Sequence, residues 1–298
     1  MNSEAVTNKI SEQEWLEPLE EGLQKTVEGA FNGLGRETGK RAANFLHGTW
    51  LGHPLHPVVT DVPIGAWTVA AVLDVGDALR GDNHFSRAAD AAVGIGLVGA
   101  AASAVTGLTD WHKTDGKARR VGMVHGVLNL TATALYATSW VLRKRRDRNA
   151  ARVFGWLGFA VAGAAGYLGG SLVFSEQIGV DHSDHTPLPD GFVPVLREAD
   201  LLENSPQLVE AAGVKIVLIR QNGKIFALQN TCSHLGGPLS EGSIEGDGIR
   251  CPWHGSCFAL ENGKVQEGPA THPQPVYDVR VNNGHIELKS SGVPTISA

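Results

Sequence analysis

Two short segments near the end of the chain combine a cysteine with a histidine. One reads CSHLGGPL and places Cys232 two residues before His234; the other reads CPWHGSCF and places Cys251 three residues before His254. Thiolates and imidazoles together suit zinc or iron. A structural zinc finger usually spaces its cysteines about two to four residues apart and its histidines about three to five apart. Here each segment supplies one cysteine and one histidine, which suits a two-iron cluster held by two cysteines on one iron and two histidines on the other.

The number of cysteines limits the alternatives. The chain has 298 residues and only 3 cysteines, which cannot all pair, so a disulfide scaffold is excluded. A disulfide between Cys232 and Cys251 would leave both histidines unexplained. Cys257 lies outside the ligand spacing, and we expect it to be a small packed side chain. A metal site is therefore expected, with zinc as the alternative to iron and sulfur.

The region from about residue 192 to 290 resembles the Rieske [2Fe–2S] family. Its pattern C-x-H…C-x-x-H is matched in full, Leu235 and Gly236 follow the first histidine as they commonly do in the family, and GPA at residues 268–270 matches the proline loop that covers the cluster. The resemblance implies an all-β domain of small antiparallel sheets, in agreement with the short alternating runs and Asn-Gly turns of this region. It also implies the ligands: Cys232 and Cys251 on one iron, His234 and His254 on the other.

The sequence departs from the Rieske proteins of respiratory quinol complexes at residues beside the cluster. Those proteins have an additional cysteine in each loop, joined as a disulfide, where this chain has Gly237 and Trp253. They also use a serine and a tyrosine hydroxyl as hydrogen-bond donors to sulfur; Ser256 keeps the first, and Phe258 replaces the second. Fewer donors stabilise the reduced cluster less, so we expect a lower reduction potential. The residues expected to flank the cluster are Leu235, Ser256, Phe258 and Pro269.

Residues 57–175 have the composition of a membrane domain. Three stretches contain no Asp, Glu, Lys or Arg and are each about long enough to cross a bilayer: Ala91 to Thr109, Val121 to Leu142 and Val153 to Ser175. Pro57 to Leu79 is a weaker fourth candidate, because aspartates interrupt it. The segment GHPLHPVVTDVPIGAW resembles a signature of a small bacterial membrane family of unassigned function. The expected fold is therefore multi-domain, with an α-helical four-span membrane domain followed by an all-β domain.

Changes in composition predict the domain boundaries. We expect an amphipathic helix and approach segment at 1–50, the membrane domain at 51–175, a polar linker at 176–191, the Rieske-like domain at 192–290 and a tail at 291–298. The amphipathic pattern between Trp15 and Leu34 favours a helix that packs on its own protein, because its polar face is rich in Glu. The net charge of −6 gives no reason to expect a nucleic-acid partner.

Several histidines of the membrane half form a second candidate site. His53 and His56 begin the first span, Asp110 and His112 follow the second, and His125 lies within the third. In the alternating topology all of these fall at one face of the membrane. Ionisable groups at membrane depth are costly, which favours a functional role such as binding haem b or a quinone. The alternative is that His53, His56 and His112 are loop residues satisfied by water or backbone.

These features predict a membrane-anchored carrier of single electrons, possessing a [2Fe–2S] cluster and exchanging electrons with a redox partner protein, a quinone or a haem. The alternative is a ferredoxin-like component that supplies an oxygenase or reductase, with the membrane domain only as anchor. The sequence has no 2-His-1-carboxylate motif and no Gly-rich dinucleotide motif, so no catalytic residue is assigned and a complete enzyme is not expected. The expected location is the bacterial cell membrane, in contact with lipid. The basic run at residues 143–148 favours the Rieske-like domain outside.

Overall fold

The computed structural model describes residues 3–291, which form two compact units. One unit contains residues 3–39 and 55–178, and the other contains residues 40–54 and 179–291. The domain boundaries expected from composition stay predictions. The division into compact units differs from them in placing residues 40–54 with the second unit. Of the expected tail, residues 292–298 lie outside the described residues.

Three helices precede the long helices of the chain: α1 (Ser3–Ser11), α2 (Glu17–Gly33) and α3 (Arg36–His47), with a 3-10 turn at Glu14–Leu16 before α2. The amphipathic segment between Trp15 and Leu34 was expected to be one helix, but it forms a 3-10 turn followed by α2. Glu20 of α2 is fully buried and pairs with Arg119 at 3.1 Å and Arg120 at 3.3 Å. This ion pair explains why an acidic helix packs against its own protein.

Four long helices make up the rest of the first unit: α4 (Leu55–Arg80), α5 (Ser86–Trp111), α6 (Gly116–Lys144) and α7 (Arg148–Phe174). Glycine lets them approach closely at defined points. A Cβ on Gly96 of α5 would lie 2.1 Å from the Trp67 ring of α4, and one on Gly158 of α7 would lie 2.9 Å from the Tyr136 ring of α6. The rings of Trp67 and Tyr136 stack at 4.0 Å, which joins the two helix pairs.

Three of these helices, α4, α5 and α7, are long and apolar enough to cross a membrane by length and composition. Four long helices lie where four spans were expected, but three of them meet the criterion, so the count of four spans is confirmed only in part, and the relative strength assigned to two of the spans was wrong. The helix expected to be weak, α4, meets the criterion, whereas α6 does not. The 29-residue α6 is long enough, but it carries polar side chains such as Asn129, Thr131 and Thr133 that lower its apolar character.

A network of buried charges lies at the α4 end that contains Asp74 and Asp77. Arg143 of α6 donates to both carboxylate oxygens of Asp74, with Nη1 at 3.0 Å from Oδ1, and also to Asp90 of α5 at 3.3 Å. Arg148 and Arg152 of α7 complete it, Arg148 paired with Asp90 and Arg152 with Asp77 at 3.6 Å. Two of the aspartates that interrupt the apolar pattern of α4, Asp74 and Asp77, are therefore neutralised by arginines about 70 residues later in the chain.

The second unit is built of small antiparallel sheets, as expected. Strands β1 (Val193–Arg197), β10 (His285–Ser290) and β9 (Tyr277–Asn282) form one sheet, and β2 (Gln207–Ala211), β3 (Val214–Gln221) and β4 (Lys224–Gln229) form another. The third sheet contains β5 (Ser243–Glu245), β6 (Gly248–Arg250), β7 (Cys257–Ala259) and β8 (Val265–Glu267). Buried Ile219, Leu228, Ile249 and Phe258 pack against the two cysteines Cys232 and Cys251, so this core supports the cysteine loops.

Candidate functional site

The two loops that carry the predicted ligands have the same backbone hydrogen bonds. In the first, the Cys232 N–H donates to the Gly237 carbonyl at 2.8 Å, and the Gly236 N–H donates to the Cys232 carbonyl at 2.9 Å. In the second, the N–H of Cys251 donates to the carbonyl five residues later, Ser256, at 2.8 Å, and the N–H of the residue four later donates back at 3.2 Å. In both loops the residue four positions after the cysteine is a glycine with positive φ, 79° in the first loop and 80° in the second.

The loops bring like ligands together. The side chains of Cys232 and Cys251 share a hydrogen bond, which raises the pKa of Cys232 and lowers the pKa of Cys251 to about 7. Backbone N–H groups two and three residues after each cysteine also donate to its sulfur, among them that of Leu235. The rings of His234 and His254 lie 4.9 Å apart between centroids. All three cysteines of the chain fall within the described residues, and all three are free thiols.

One buried nitrogen among these groups has no partner. The Nδ1 atom of His234 is buried without a hydrogen-bond partner, which normally costs about 1–3 kcal/mol. Burial, together with the nearby rings of His254, His47 and His182, lowers the pKa of His234 well below its ordinary value. The ring is therefore neutral, and a metal ion bonded to this nitrogen would satisfy it.

The grouping of the side chains in pairs also distinguishes a site for one metal ion from a site for two. A structural zinc ion takes about four Cys or His ligands at one point. A pair of cysteines and a pair of histidines suits a cluster with two irons instead. The residues present thus fit a [2Fe–2S] group better than zinc.

The comparisons with known proteins agree with this geometry. Residues 191–278 match the Rieske [2Fe-2S] domain family, and residues 52–182 match the family described as predicted membrane protein (DUF2231). The ferredoxin subunit of 3-phenylpropionate/cinnamic acid dioxygenase from Escherichia coli (strain K12) is 36% identical over 89 residues, which are 30% of this chain and 83% of that protein. The chain belongs to the Rieske [2Fe–2S] family.

Other relatives of the Rieske domain are larger or share less sequence. Apoptosis-inducing factor 3 from Homo sapiens is 28% identical over 116 residues, which are 39% of this chain but only 19% of that protein. The solved structure of the ferredoxin of carbazole 1,9a-dioxygenase from Nocardioides aromaticivorans IC177 is 25% identical, with a TM-score of 0.32, and covers 34% of this chain and 98% of that one. This chain thus spans a small part of some relatives and most of others.

The residues expected beside the cluster lie close to the cysteine loops. A Cβ added to Gly237 would lie 2.8 Å from the Cys251 sulfur and 3.0 Å from the Trp253 ring, so the two positions of the absent disulfide are adjacent. Ser256 is fully buried and its Oγ accepts a hydrogen bond from the Ala270 N–H at 3.0 Å, which ties the second loop to the segment that contains buried Pro269. Phe258 is buried in the core beside both cysteines.

Cys257 lies apart from the ligand pairs, as expected. It is buried on β7, and its sulfur contacts Gln266 Oε1 at 3.5 Å. Burial raises the pKa of this thiol to about 11. Its thiol stays protonated near neutral pH, in contrast to that of Cys251.

Side chains of α3 hold the proline loop of the Rieske domain by contacts that the sequence did not predict. Asn44, near the end of α3, accepts from the Gly268 N–H at 2.9 Å through Oδ1 and donates from Nδ2 to the Gln266 carbonyl at 3.0 Å. Glu267, between them, pairs with Lys40 and, at 2.7 Å, with Arg250. His47 packs against the same loop, since a Cβ on Gly268 would lie 3.1 Å from its ring. Nothing in the local pattern of α3 signals this contact with residues 222 to 227 positions away.

Replacing Asn44 with alanine should loosen the proline loop. The substitution leaves the Gly268 N–H and the Gln266 carbonyl without their partner, and we expect the free energy of unfolding of the Rieske unit to fall by about 1–3 kcal/mol. The cluster should also be lost faster, which the decay of its visible absorption on incubation with a chelator would measure. Asn282→Ala, on the exposed face of β9, is the matched control. Equal decay rates for both variants would contradict a role for Asn44 in holding the loop.

The ion pairs of Glu267 should make the stability of the Rieske unit sensitive to acid. Burial disfavours its charged form, but the hydrogen bonds from Lys40 and Arg250 outweigh that effect and lower the pKa of Glu267. Because the pKa is lower in the folded state, the stabilisation is present above the unfolded value and is lost as the pH falls through the folded one. Stability measured from about pH 6 down to pH 3 should fall less steeply in Glu267→Gln. The exposed Glu261→Gln should keep the profile of the unmodified protein.

The second candidate site is partly assembled. The rings of His56 on α4 and His125 on α6 lie 6.4 Å apart between centroids. His112 lies apart from them, with its Nδ1 2.6 Å from the Thr109 carbonyl and its ring 5.8 Å from that of Phe31. Asp110 lies within electrostatic range of His56, and His53 is exposed.

Proposed function

We propose that this chain is a membrane-anchored Rieske protein that carries single electrons. The observation that carries the proposal is the arrangement of two cysteines and two histidines as separate pairs, with the unsatisfied Nδ1 of His234 among them. Cys232 and Cys251 would hold one iron, and His234 and His254 the other. The bound cluster supplies a site that gains and loses one electron. The loops keep the thiolates in place by backbone N–H groups, and the hydrophobic core beside them excludes water.

The surface around His254 is the proposed contact for a redox partner. His254 is partly exposed, and Trp253 beside it is 57% exposed with its ring 6.4 Å from that of His254. Exposed aromatic rings are enriched at protein interfaces. The alternative, that the domain supplies electrons to an oxygenase or reductase, is supported by the relative named as a ferredoxin subunit of a dioxygenase. Both alternatives use the same cluster; they differ in the electron partner and in whether the membrane unit is more than an anchor.

The membrane unit is proposed to bring the cluster to an electron partner at the membrane, a quinone or a haem. The match to a membrane protein family and the three apolar helices support the anchoring, and the close pair His56 and His125 supports a site within it. The cations of the loop between α6 and α7 favour the Rieske domain outside. Labelling of a cysteine introduced at Arg145 in intact cells would contradict that orientation, whereas protection until lysis would support it.

The test of the electron-carrier function is spectroscopic. Full-length protein purified in detergent should contain two irons per chain and give, when reduced, the EPR signal of a histidine-ligated two-iron cluster. A preparation with zinc and no iron would overturn the proposal.

Ser256→Ala should lower the reduction potential of the cluster. The Oγ of Ser256 accepts from the Ala270 N–H, which leaves its proton to donate toward cluster sulfur and so to stabilise the reduced state. A redox titration followed by EPR measures the shift. Ser243→Ala, on the exposed β5, is the control and should keep the potential of the unmodified protein. An unchanged potential in Ser256→Ala would show that this hydroxyl does not reach the cluster.

A further inference from the structure

Two histidines in the helical unit are held in the same way by two different helix pairs. His56 of α4 has its Nδ1 3.0 Å from the Ser103 carbonyl of α5, and His125 of α6 has its Nδ1 2.8 Å from the Ala165 carbonyl of α7. Four residues after each of these carbonyls is a glycine against the same ring. A Cβ on Gly107 would lie 2.8 Å from Cε1 of His56, and the equivalent Cβ on α7, at residue 169, 3.0 Å from Cε1 of His125. The arrangement therefore occurs twice, once in each helix pair.

The hydrogen bonds determine which nitrogen of each ring is available. A carbonyl oxygen only accepts, so the Nδ1 of each histidine carries the proton and the Nε2 carries the lone pair. The Asn129 amide nitrogen lies 3.1 Å from Nε2 and 3.5 Å from Nδ1 of His125 and donates to the His125 carbonyl at 3.0 Å, so a metal atom at Nε2 would displace it from the ring. Histidines that bind metals are commonly oriented in this way, with the far N–H on a backbone carbonyl and the other nitrogen on the metal. Each helix pair thus presents one imidazole prepared to act as a ligand.

The separation of the rings suits one metal atom between them. Two imidazoles bound to opposite sides of a metal by bonds of about 2 Å have ring centroids about 6 Å apart. The centroids of His56 and His125 are 6.4 Å apart, and their planes are at 90°. Perpendicular planes are compatible with such binding, because each ring can turn about its own metal–nitrogen bond.

The protein supplies too few ligands for a bare metal ion. In the described part of the chain, no third His, Cys, Asp or Glu joins these two rings in a group that could hold an ion. A structural zinc site takes about four protein ligands. A haem iron already has the four nitrogens of its macrocycle and needs only axial ligands, for which imidazole is a common choice. Two imidazoles among apolar helices therefore favour haem over zinc.

We propose that His56 and His125 are the two axial ligands of one b-type haem in the helical unit. Gly107 and Gly169 position the two rings by allowing each to lie directly against the neighbouring helix. His112, with its ring against Phe31, is not a ligand. The redox role of this haem rests on the proposed function, but its binding does not depend on the [2Fe–2S] cluster.

The test is the haem content of full-length protein, expressed with a haem precursor and purified in detergent. The pyridine haemochrome assay should find one haem per chain, with a low-spin Soret band. His56→Ala and His125→Ala should each reduce the haem content at least tenfold, whereas His112→Ala should keep it. Imidazole added to His56→Ala, with haem, should restore the low-spin band, which a merely structural role would not do.

Three outcomes would overturn the inference. These are protein with an intact cluster but no haem, protein from which solvent extracts a stoichiometric quinone in place of haem, and haem retained in both histidine variants. The EPR signal of the Rieske cluster, recorded on the same samples, separates this inference from the proposed function. A haem band without that signal would refute only the electron-carrier assignment, and the signal without a haem band would refute only the haem site.

Discussion

Cys251→Ser should abolish the [2Fe–2S] cluster, whereas Cys257→Ser, six residues later, should leave it in place. Both thiols are buried and free, so the two substitutions are matched in chemistry and in location. They differ in surroundings. The sulfur of Cys251 shares a hydrogen bond with the Cys232 side chain and accepts hydrogen bonds from backbone N–H groups, which lowers the pKa of Cys251 to about 7. Cys257 contacts Gln266, and its pKa is raised to about 11. Only the first environment favours the thiolate that binds iron.

The measurement is the visible absorption and EPR signal of the purified variants, with iron and sulfide determined per chain. We expect Cys251→Ser to lose essentially all of the signal and Cys257→Ser to retain the level of the unmodified protein. Alkylation of the cluster-free protein near pH 7 should also modify Cys251 before Cys257, since more of it is ionised. A cluster that survives in Cys251→Ser, or one lost equally in both variants, would contradict the assignment of the ligands.

Asp74→Asn should destabilise the helical unit by about 3–5 kcal/mol, because it removes one partner of a buried ion pair. The side chain of Arg143 is 1% exposed and that of Asp74 is 7% exposed, so water cannot replace the lost charge. Arg152, whose Nε is 3.7 Å from Asp74, would lose a second interaction. The free energy of unfolding in detergent, measured with a denaturant, gives the size of the effect.

The matched control is Asp61→Asn, the same change at an exposed position of the same helix. We expect it to leave the free energy of unfolding unchanged or to raise it slightly, because no buried partner is left without its charge. If both variants unfold at the same denaturant concentration, the network does not stabilise the unit in the way the distances indicate.

The proposed ligands of the cluster lie in loops that the sequence alone indicates, because each loop is local. A cysteine, a histidine two or three residues later and a glycine four residues after the cysteine define the loop without knowledge of the rest of the fold. The repeated glycine, Gly236 and Gly255, was a signal that the spacing of the ligands alone did not use. The hydrophobic pattern also predicted where the four long helices lie, because a helix that spans a bilayer needs a long apolar stretch.

Contacts between distant segments could not be predicted in this way. Asn44 is separated from Gly268 by 224 residues, and its role depends on how α3 packs against the proline loop. The pairs of Asp74 with Arg143 and of Asp90 with Arg148 join different helices. In the sequence, each of these charges is visible only as an interruption of an apolar stretch or as part of a basic loop. The sequence placed His56 and His125 at one membrane face as candidate site residues but gave no sign of the 6.4 Å separation of their rings.

The contacts of Asn44 and Lys40 with residues 266–268 limit the membrane topologies open to the proposed anchor. These residues belong to the same compact unit as the Rieske domain, although the helices α4 to α7 come between them in sequence. If the helices are anchored in a bilayer as proposed, the two ends of that stretch, which meet in one folded body, lie on the same side of it. A chain that leaves and returns on one side crosses an even number of times. Three crossings break this parity, and counting the less apolar α6 as a crossing restores it.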